Sequence, residues 1–175
     1  MSEVSSKFRG RCHKFGDDME IDTKVMPYKY KVLYPFDAEK LVPHLFEEVT
    51  RDFYKKVNPG DFVIAGRNFA CGKPHPQGFM AIAALKLVLL CESMLFSGYR
   101  GAISSGIVCH RHCVNICALV NDGDMVEMDF ATGVFRNITT GASEKYAAIP
   151  PDFLAMMMLG GMKPMLKKWR EKHYD

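Results

Sequence analysis

No stretch of this 175-residue sequence stays apolar for long enough to cross a bilayer. The longest candidate, "FMAIAALKLVLLCESMLF", is broken by Lys86 and Glu92 and falls short of the roughly 20 apolar residues a spanning helix needs. The opening "MSEVSSKFRGRCHKFGDD" has no apolar core of the kind a secretory signal carries. Positive charge is sparse too: the formal net charge is +3, and no Lys/Arg run is dense enough to form a binding stripe. The nearest, "KKWREKH" (Lys167 to His173), reads as the solvated end of a terminal helix, so nucleic acid is not an expected partner. Internal repeats, low-complexity tracts and Ser/Gly/Pro-rich linkers are absent. So are the phosphate-loop spacing Gly-x4-Gly-Lys-Ser/Thr, the nucleophile elbow G-x-S-x-G and the metalloprotease His-Glu-x-x-His. These absences leave one cytoplasmic domain over residues 1–175, with its six cysteines as reduced thiols.

What is present is ordinary globular material, 48% apolar and 25% charged, enough to bury a core without disulfides. "GRCHKFGDD" reads as a short strand closed by a Gly-Asp-Asp turn. "EIDTKVMPYKYKV" follows as an extended segment or exposed loop, because Pro27 discourages helix. "DAEKLVPHLFEEVTRDFYKKV" is helical in parts, with Asp37 as N-cap. "PGDFVIAG" is a turn feeding a buried strand. Gln77 to Leu85 reads as helix and Leu87 to Leu90 as an apolar strand, which completes a βαβ unit. "ESMLFSGYRGAISSG" is a further helix and "IVCH" a further strand. "NDGDMVEMDFATGVFRNITTG" alternates around a Thr-Gly turn as a β-hairpin. The chain closes as helix, Gly-Gly break, helix, and the fold class is mixed α/β.

The chemistry concentrates between the first buried strand and its helix, in "AGRNFACGKPHPQGFMAIAAL". A helix N-terminus attracts carboxylates and phosphates. Gly72 permits close backbone approach, Lys73 adds a point charge, and His75 can carry a proton near neutral pH. Pro74 and Pro76 stiffen the loop and remove two donors. The same residues also fit a Gly/Pro turn with solvated basic groups. Asp22 and Thr23 can orient a ligand or form an Asx or Ser/Thr turn. Arg100 can grip a carboxylate bidentately or lie on a helix surface. In "CHRHCVNIC" the spacing of Cys109, Cys113 and Cys117 misses the pairings of zinc and iron–sulfur sites. If the segment is helical, the three thiols share one face and pack. The run "LAMMMLGGM" is adaptable core or interface packing.

Several blocks together resemble one family along nearly the whole chain. "GRCHKFGDDMEIDTKVMP" is similar to G-x-x-x-K-x-G-D followed by D-T-D-x-I-x-P. "NPGDFVIAGRNFACG" is similar to P-G-D-x-[IV]-[IV]-A-G-x-N-F-G-C-G. "SMLFSGYRGAISSG" follows S-F-A-R-I-F-Y-R-N-A-I-N-N-G at Ser93, Tyr99, Arg100, Ala102, Ile103 and Gly106. "DGDMVEMDFATGVFRNITTG" and "LGGM" fit as well. The family is the small subunit of 3-isopropylmalate dehydratase, in the aconitase superfamily.

The resemblance implies a swivelling β/β/α domain that serves as the small subunit of a heteromeric hydro-lyase, of the kind used in leucine biosynthesis. It implies a partner large subunit holding a [4Fe–4S] cluster, with no cofactor or metal held by this chain. The implied substrate is a small hydroxy-di- or tricarboxylate, dehydrated and rehydrated. A homo-oligomer is a further option, the Met-rich region and the Tyr28 loop being contact surfaces for either the large subunit or a second copy. The departure falls at the chemistry. Where the family has G-S-S-R-E-H-A, this sequence has Gly72-Lys73-Pro74-His75-Pro76-Gln77-Gly78, and D-T-D becomes Asp22-Thr23-Lys24. One reading makes Lys73 the base, its ammonium desolvated in a closed site, while His75 or Arg100 meets a carboxylate. The other makes the chain a non-catalytic carboxylate-binding or regulatory subunit. By position, Tyr28, Lys29 and Tyr30 resemble the family's substrate-recognition loop, and they equally fit a protected strand edge.

Overall fold

The computed structural model describes residues 6–32, 37–73 and 75–174. One seven-stranded sheet of order β4-β3-β2-β1-β5-β6-β7 organises them. Its two halves differ in kind, and the sequence pattern explains why. In β2 (Phe62–Ala65) and β3 (Val88–Cys91) every residue is buried. These short apolar runs form the parallel half with β4 (Cys109–His110), covered on both faces as parallel sheets are. β5 (Met125–Asp129) alternates buried and half-buried side chains, the period of a one-sided antiparallel strand. It forms a hairpin with β6 (Val134–Asn137), and β7 (Ser143–Lys145) completes that half. β1 (Lys7–Lys14) is the seam, running parallel to β2 from Cys12 to Lys14 and antiparallel to β5 from Lys7 to Arg11.

Two consecutive crossovers build the parallel half. α2 (Pro76–Ala84) links β2 to β3, and α3 (Phe96–Ser104) links β3 to β4. Pro76 occupies the first turn of α2, where its missing N–H costs nothing. Phe79 and Ile82 point from α2 into the core, each contributing about 1.5–3 kcal/mol by burial. α2 and α3 approach closely because Gly101 faces Phe79: a Cβ there would stand 2.8 Å from the ring carbon Cε2. α4 (Pro151–Met158) and α5 (Met162–Tyr174) close the chain. They are separated by Gly160 and Gly161, whose φ of +92° and +99° favour residues without a Cβ. Asp37 caps α1 (Ala38–Leu41) as expected, accepting from the Glu39 N–H at 3.1 Å.

Three expectations are corrected. The segment read as extended or loop coils instead: Ile21–Val25 is a π-helical turn and Tyr28–Val32 a 3-10 turn. Val25 donates to the Glu20 carbonyl and Met26 to that of Ile21, which places Ile21 and Val25 together on α2. The strand expected at Leu87 to Leu90 runs one residue later, Val88–Cys91, set by its register against Phe62 to Ala65. "CHRHCVNIC" is not a helix. It leaves β4, turns, and enters a 3-10 turn at Ile116–Leu119 after Asn115 at φ +62°. Cys109 and Cys113 are nonetheless buried packing.

Candidate active site

Two chain segments run side by side beyond the end of β2, and their pairing builds the site. Asp18 donates to the Arg67 carbonyl, Ala70 to that of Met19, and Ile21 to that of Cys71. Glu20 and Cys71 form a parallel bridge. To follow this path the loop adopts left-handed backbone at Asn68, Ala70 and Gly72, with φ of +59°, +56° and +90°. At Ala70 that conformation costs on the order of 1–3 kcal/mol, offset by the paired backbone. Gly78 completes the arrangement. A Cβ there would stand 3.0 Å from Val25 and 3.1 Å from Ile21, so α2 packs directly on the π-helical turn. Asp22, on that turn, is thereby set against the start of α2.

The result is a short contact between residues 53 apart in sequence. His75 Nδ1 lies 2.6 Å from Asp22 Oδ2, and the two side chains are only 14% and 16% exposed. The carboxylate only accepts, so Nδ1 carries the proton of this bond. Asp22 Oδ1 is buried without a hydrogen-bond partner among the described residues. The Tyr28 ring stands edge-on to the imidazole at 5.8 Å. His75 and Arg100 line one cleft of ≈ 320 Å³ between α2 and α3, with Ser97 and Ser104 on the same wall. Gly72 and Lys73 sit exposed just before it. The desolvation expected of Lys73 is therefore not supplied by this chain's own residues. Pro74 lies outside the described residues.

The other expected residues are placed differently. Thr23 is exposed and donates to Glu20 Oε2 at 2.8 Å. Lys29 and Tyr30 do not face the cleft residues; both meet Glu47, at 2.9 Å each, and His44 joins them at 2.6 Å. The hydrogen bond to Glu47 raises the Lys29 ammonium above its ordinary range. Burial would raise the Glu47 carboxyl, but Lys29, His44 and Tyr30 together hold it below the usual carboxylate range. Tyr30 is raised by its own burial and then by the same carboxylate. These residues form a closed cluster, with the Tyr30 ring stacked on His44 at 3.8 Å. Sequence reasoning missed Glu47, Ser97 and Ser104. It also read Gln77 only as helix, although this side chain is 1% exposed and neither amide atom has a protein partner. A lone polar residue opening the apolar run of α2 was the available signal.

Among the described residues no group of three or more His, Cys, Asp or Glu side chains could hold a metal ion. The thiols do not fit an iron–sulfur cluster. Burial pushes Cys12 up to about 12 and Cys117 up to about 11, and it raises Cys91, Cys109 and Cys113 further. Among the described residues, no helix is long and apolar enough to span a membrane.

Known proteins share both the sequence and the architecture. The isopropylmalate/citramalate isomerase small subunit of Methanocaldococcus jannaschii is 32% identical over 166 residues, covering 94% of this chain and 96% of its own. The 3-isopropylmalate dehydratase small subunit 1 of Archaeoglobus fulgidus is 36% identical over 166 residues, covering 93% and 99%. The crystal structure of 3-isopropylmalate dehydratase (leuD) from M. jannaschii superposes with a TM-score of 0.84 at 29% identity, over 95% of this chain and 96% of that one. The swivelling β/β/α architecture expected from the sequence is thus the one observed. No family model matches the chain.

Proposed function

Because the chain belongs to the 3-isopropylmalate dehydratase small-subunit family, we propose that it works as the small subunit of a heteromeric hydro-lyase. The complex dehydrates and rehydrates a substituted malate-type hydroxy acid. The observation that supports this reading best is the cleft at the start of α2, which Arg100 and the imidazole of His75 line together, with Lys73 exposed two residues before His75 in the chain. A cleft lined by a guanidinium, with a second cation close by in the chain, suits a dicarboxylate that a second subunit covers. Arg100 grips one carboxylate bidentately, and Lys73 draws the substrate in as an exposed point charge. Gly72 leaves the backbone open to approach, while Asp22, Thr23 and Tyr28 shape the approach side. Lys29 and Tyr30 act through Glu47, fixing the turn that carries Tyr28. The [4Fe–4S] cluster belongs to the large subunit in this reading, since this chain's thiols do not suit it. The whole chain acts as one domain, in the cytoplasm.

A second reading rests on one specific observation. The loop Gly72 to Gly78 has neither the serines nor the arginine of the family pattern, as a subunit that binds carboxylates without turning them over would. The two are separated by purifying the chain anaerobically with a large subunit. The purified complex is then assayed for hydration and dehydration of 3-isopropylmalate, citramalate, other substituted malates and the matching maleates. Turnover of any of these supports the hydro-lyase. A stable complex with intact cluster that binds them and converts none supports the binding subunit. In the active complex Lys73→Ala is expected to raise KM about tenfold, the worth of roughly one exposed charge contact with a carboxylate.

A further inference from the structure

We propose that His75 moves the proton on the substrate carbon next to a carboxylate, and that Asp22 is its positioning residue. This rests on the hydro-lyase reading and goes beyond it, because it replaces the missing serine with a His–Asp pair rather than with Lys73. Four observations converge. The 2.6 Å contact commits Nδ1 to Asp22 Oδ2 and leaves the lone pair on Nε2, the atom a base needs. His75 is a wall of the cleft that also holds Arg100, Ser97 and Ser104, so base and carboxylate-binding cation share one space. The imidazole is fixed on a second side by the Tyr28 ring edge, and along the chain by Pro76 immediately after it. Finally, the fold makes little other use of Asp22. Among the described residues nothing hydrogen-bonds its buried Oδ1, and an unsatisfied buried polar atom in a native fold is uncommon outside functional sites.

The step balances as follows. Nε2 of neutral His75 takes the α proton, and the C–H electron pair becomes the second bond of the alkene. The neighbouring hydroxyl leaves with the C–O pair and takes a proton from an acid group of the partner subunit, forming water. Rehydration reverses this: the imidazolium returns its proton to carbon, while water gives a proton back to the partner's group and its hydroxide adds to the neighbouring carbon. Asp22 holds the imidazole in the required tautomer and lies against the positive charge that forms. Among the described residues the charged and titratable groups around His75 are Asp22 and Tyr28 from the preceding turns and Arg100 from α3, while Lys73 is exposed two residues before it in the chain.

The test uses the complex with the large subunit and whichever acid the wild type turns over. His75→Ala should lower kcat by about 10²–10⁴-fold, with part of the loss restored by added imidazole. Asp22→Asn should lower kcat by roughly 10²-fold or more at nearly unchanged KM. The acid limb of the kcat/KM–pH profile, where a general base must be deprotonated, should disappear in His75→Gln. Size-exclusion chromatography checks that each variant still assembles. Turnover of His75→Ala within about twofold of wild type overturns the proposal. So does a loss that imidazole does not rescue together with an acid limb that persists in His75→Gln, since His75 would then be structural. A wild-type complex that converts no acid removes the hydro-lyase reading, and the role of the pair with it.

Discussion

Gly101→Ala is the substitution whose effect the packing fixes most sharply. An alanine inside an exposed helix is ordinarily a gain of about 1 kcal/mol over glycine. Here the added Cβ would stand 2.8 Å from Phe79 Cε2 and 3.1 Å from Cδ2, closer than carbon atoms tolerate. Phe79 is 1% exposed and its ring is rigid, so the ring and α3 must move apart. Overpacking of this kind costs typically 1–3 kcal/mol, which outweighs the helix gain and leaves a net loss of about 1 kcal/mol. The same displacement moves Arg100, the adjacent residue, relative to His75 across the cleft. Misplacement by an ångström can cost about 10²-fold in rate, so turnover should suffer more than stability. Urea denaturation of Gly101→Ala, Phe79→Leu and the double variant measures the clash directly. With the ring removed, the alanine should become neutral or stabilising, giving a coupling of roughly 1–2 kcal/mol. A Gly101→Ala protein more stable than wild type, or additive behaviour in the cycle, would refute the reasoning.

Other outcomes follow from the surrounding chemistry. Tyr30→Phe removes the hydroxyl that donates to Glu47 at 2.9 Å and should lower stability by about 1 kcal/mol in thermal denaturation. The Asp124 carboxyl is held below its ordinary range, first by the Asn121 backbone N–H and then by the Asn137 amide, and Glu47 is lowered as well. A depressed carboxylate stabilises the fold above its unfolded pKa, and that contribution is lost as pH falls through the folded one. The urea midpoint should therefore decline on acidification below about pH 4, the ordinary carboxylate range, and less steeply in Asp124→Asn. Alkylation of the folded chain should reach the partly exposed Cys71 first and Cys117 only slowly, since burial keeps its thiol protonated, while Cys12, Cys91, Cys109 and Cys113 react only after unfolding. Mass spectrometry of the labelled protein reads this.

The parts of the fold legible in sequence were those set by local pattern. "FVIA" and "VLLC" are short apolar runs between turn residues, and their burial on both faces follows from composition. The β5–β6 hairpin is equally local, its alternation carrying the register. The π-helical turn at Ile21–Val25 was not legible, because its geometry is imposed by pairing with residues near Cys71 and by contact with Gly78. The site divides along the same line. The candidates His75 and Arg100, which line one cleft, and Gly72 beside it could be picked out by residue type and position in the loop and helix. The partnership of His75 with Asp22 spans 53 residues and needs the folded chain. Lys29 and Tyr30 looked free to bind a substrate in sequence. Glu47, in a segment with no distinguishing motif, claims both in the structure.

The most direct test of the account is hydration of a substituted maleate by the assembled complex in D2O, followed by proton NMR. The account predicts a hydroxy acid carrying one solvent deuterium on the carbon next to a carboxylate, formed by wild type and suppressed in His75→Ala. Binding of the substituted malate with no hydration of any maleate would contradict it.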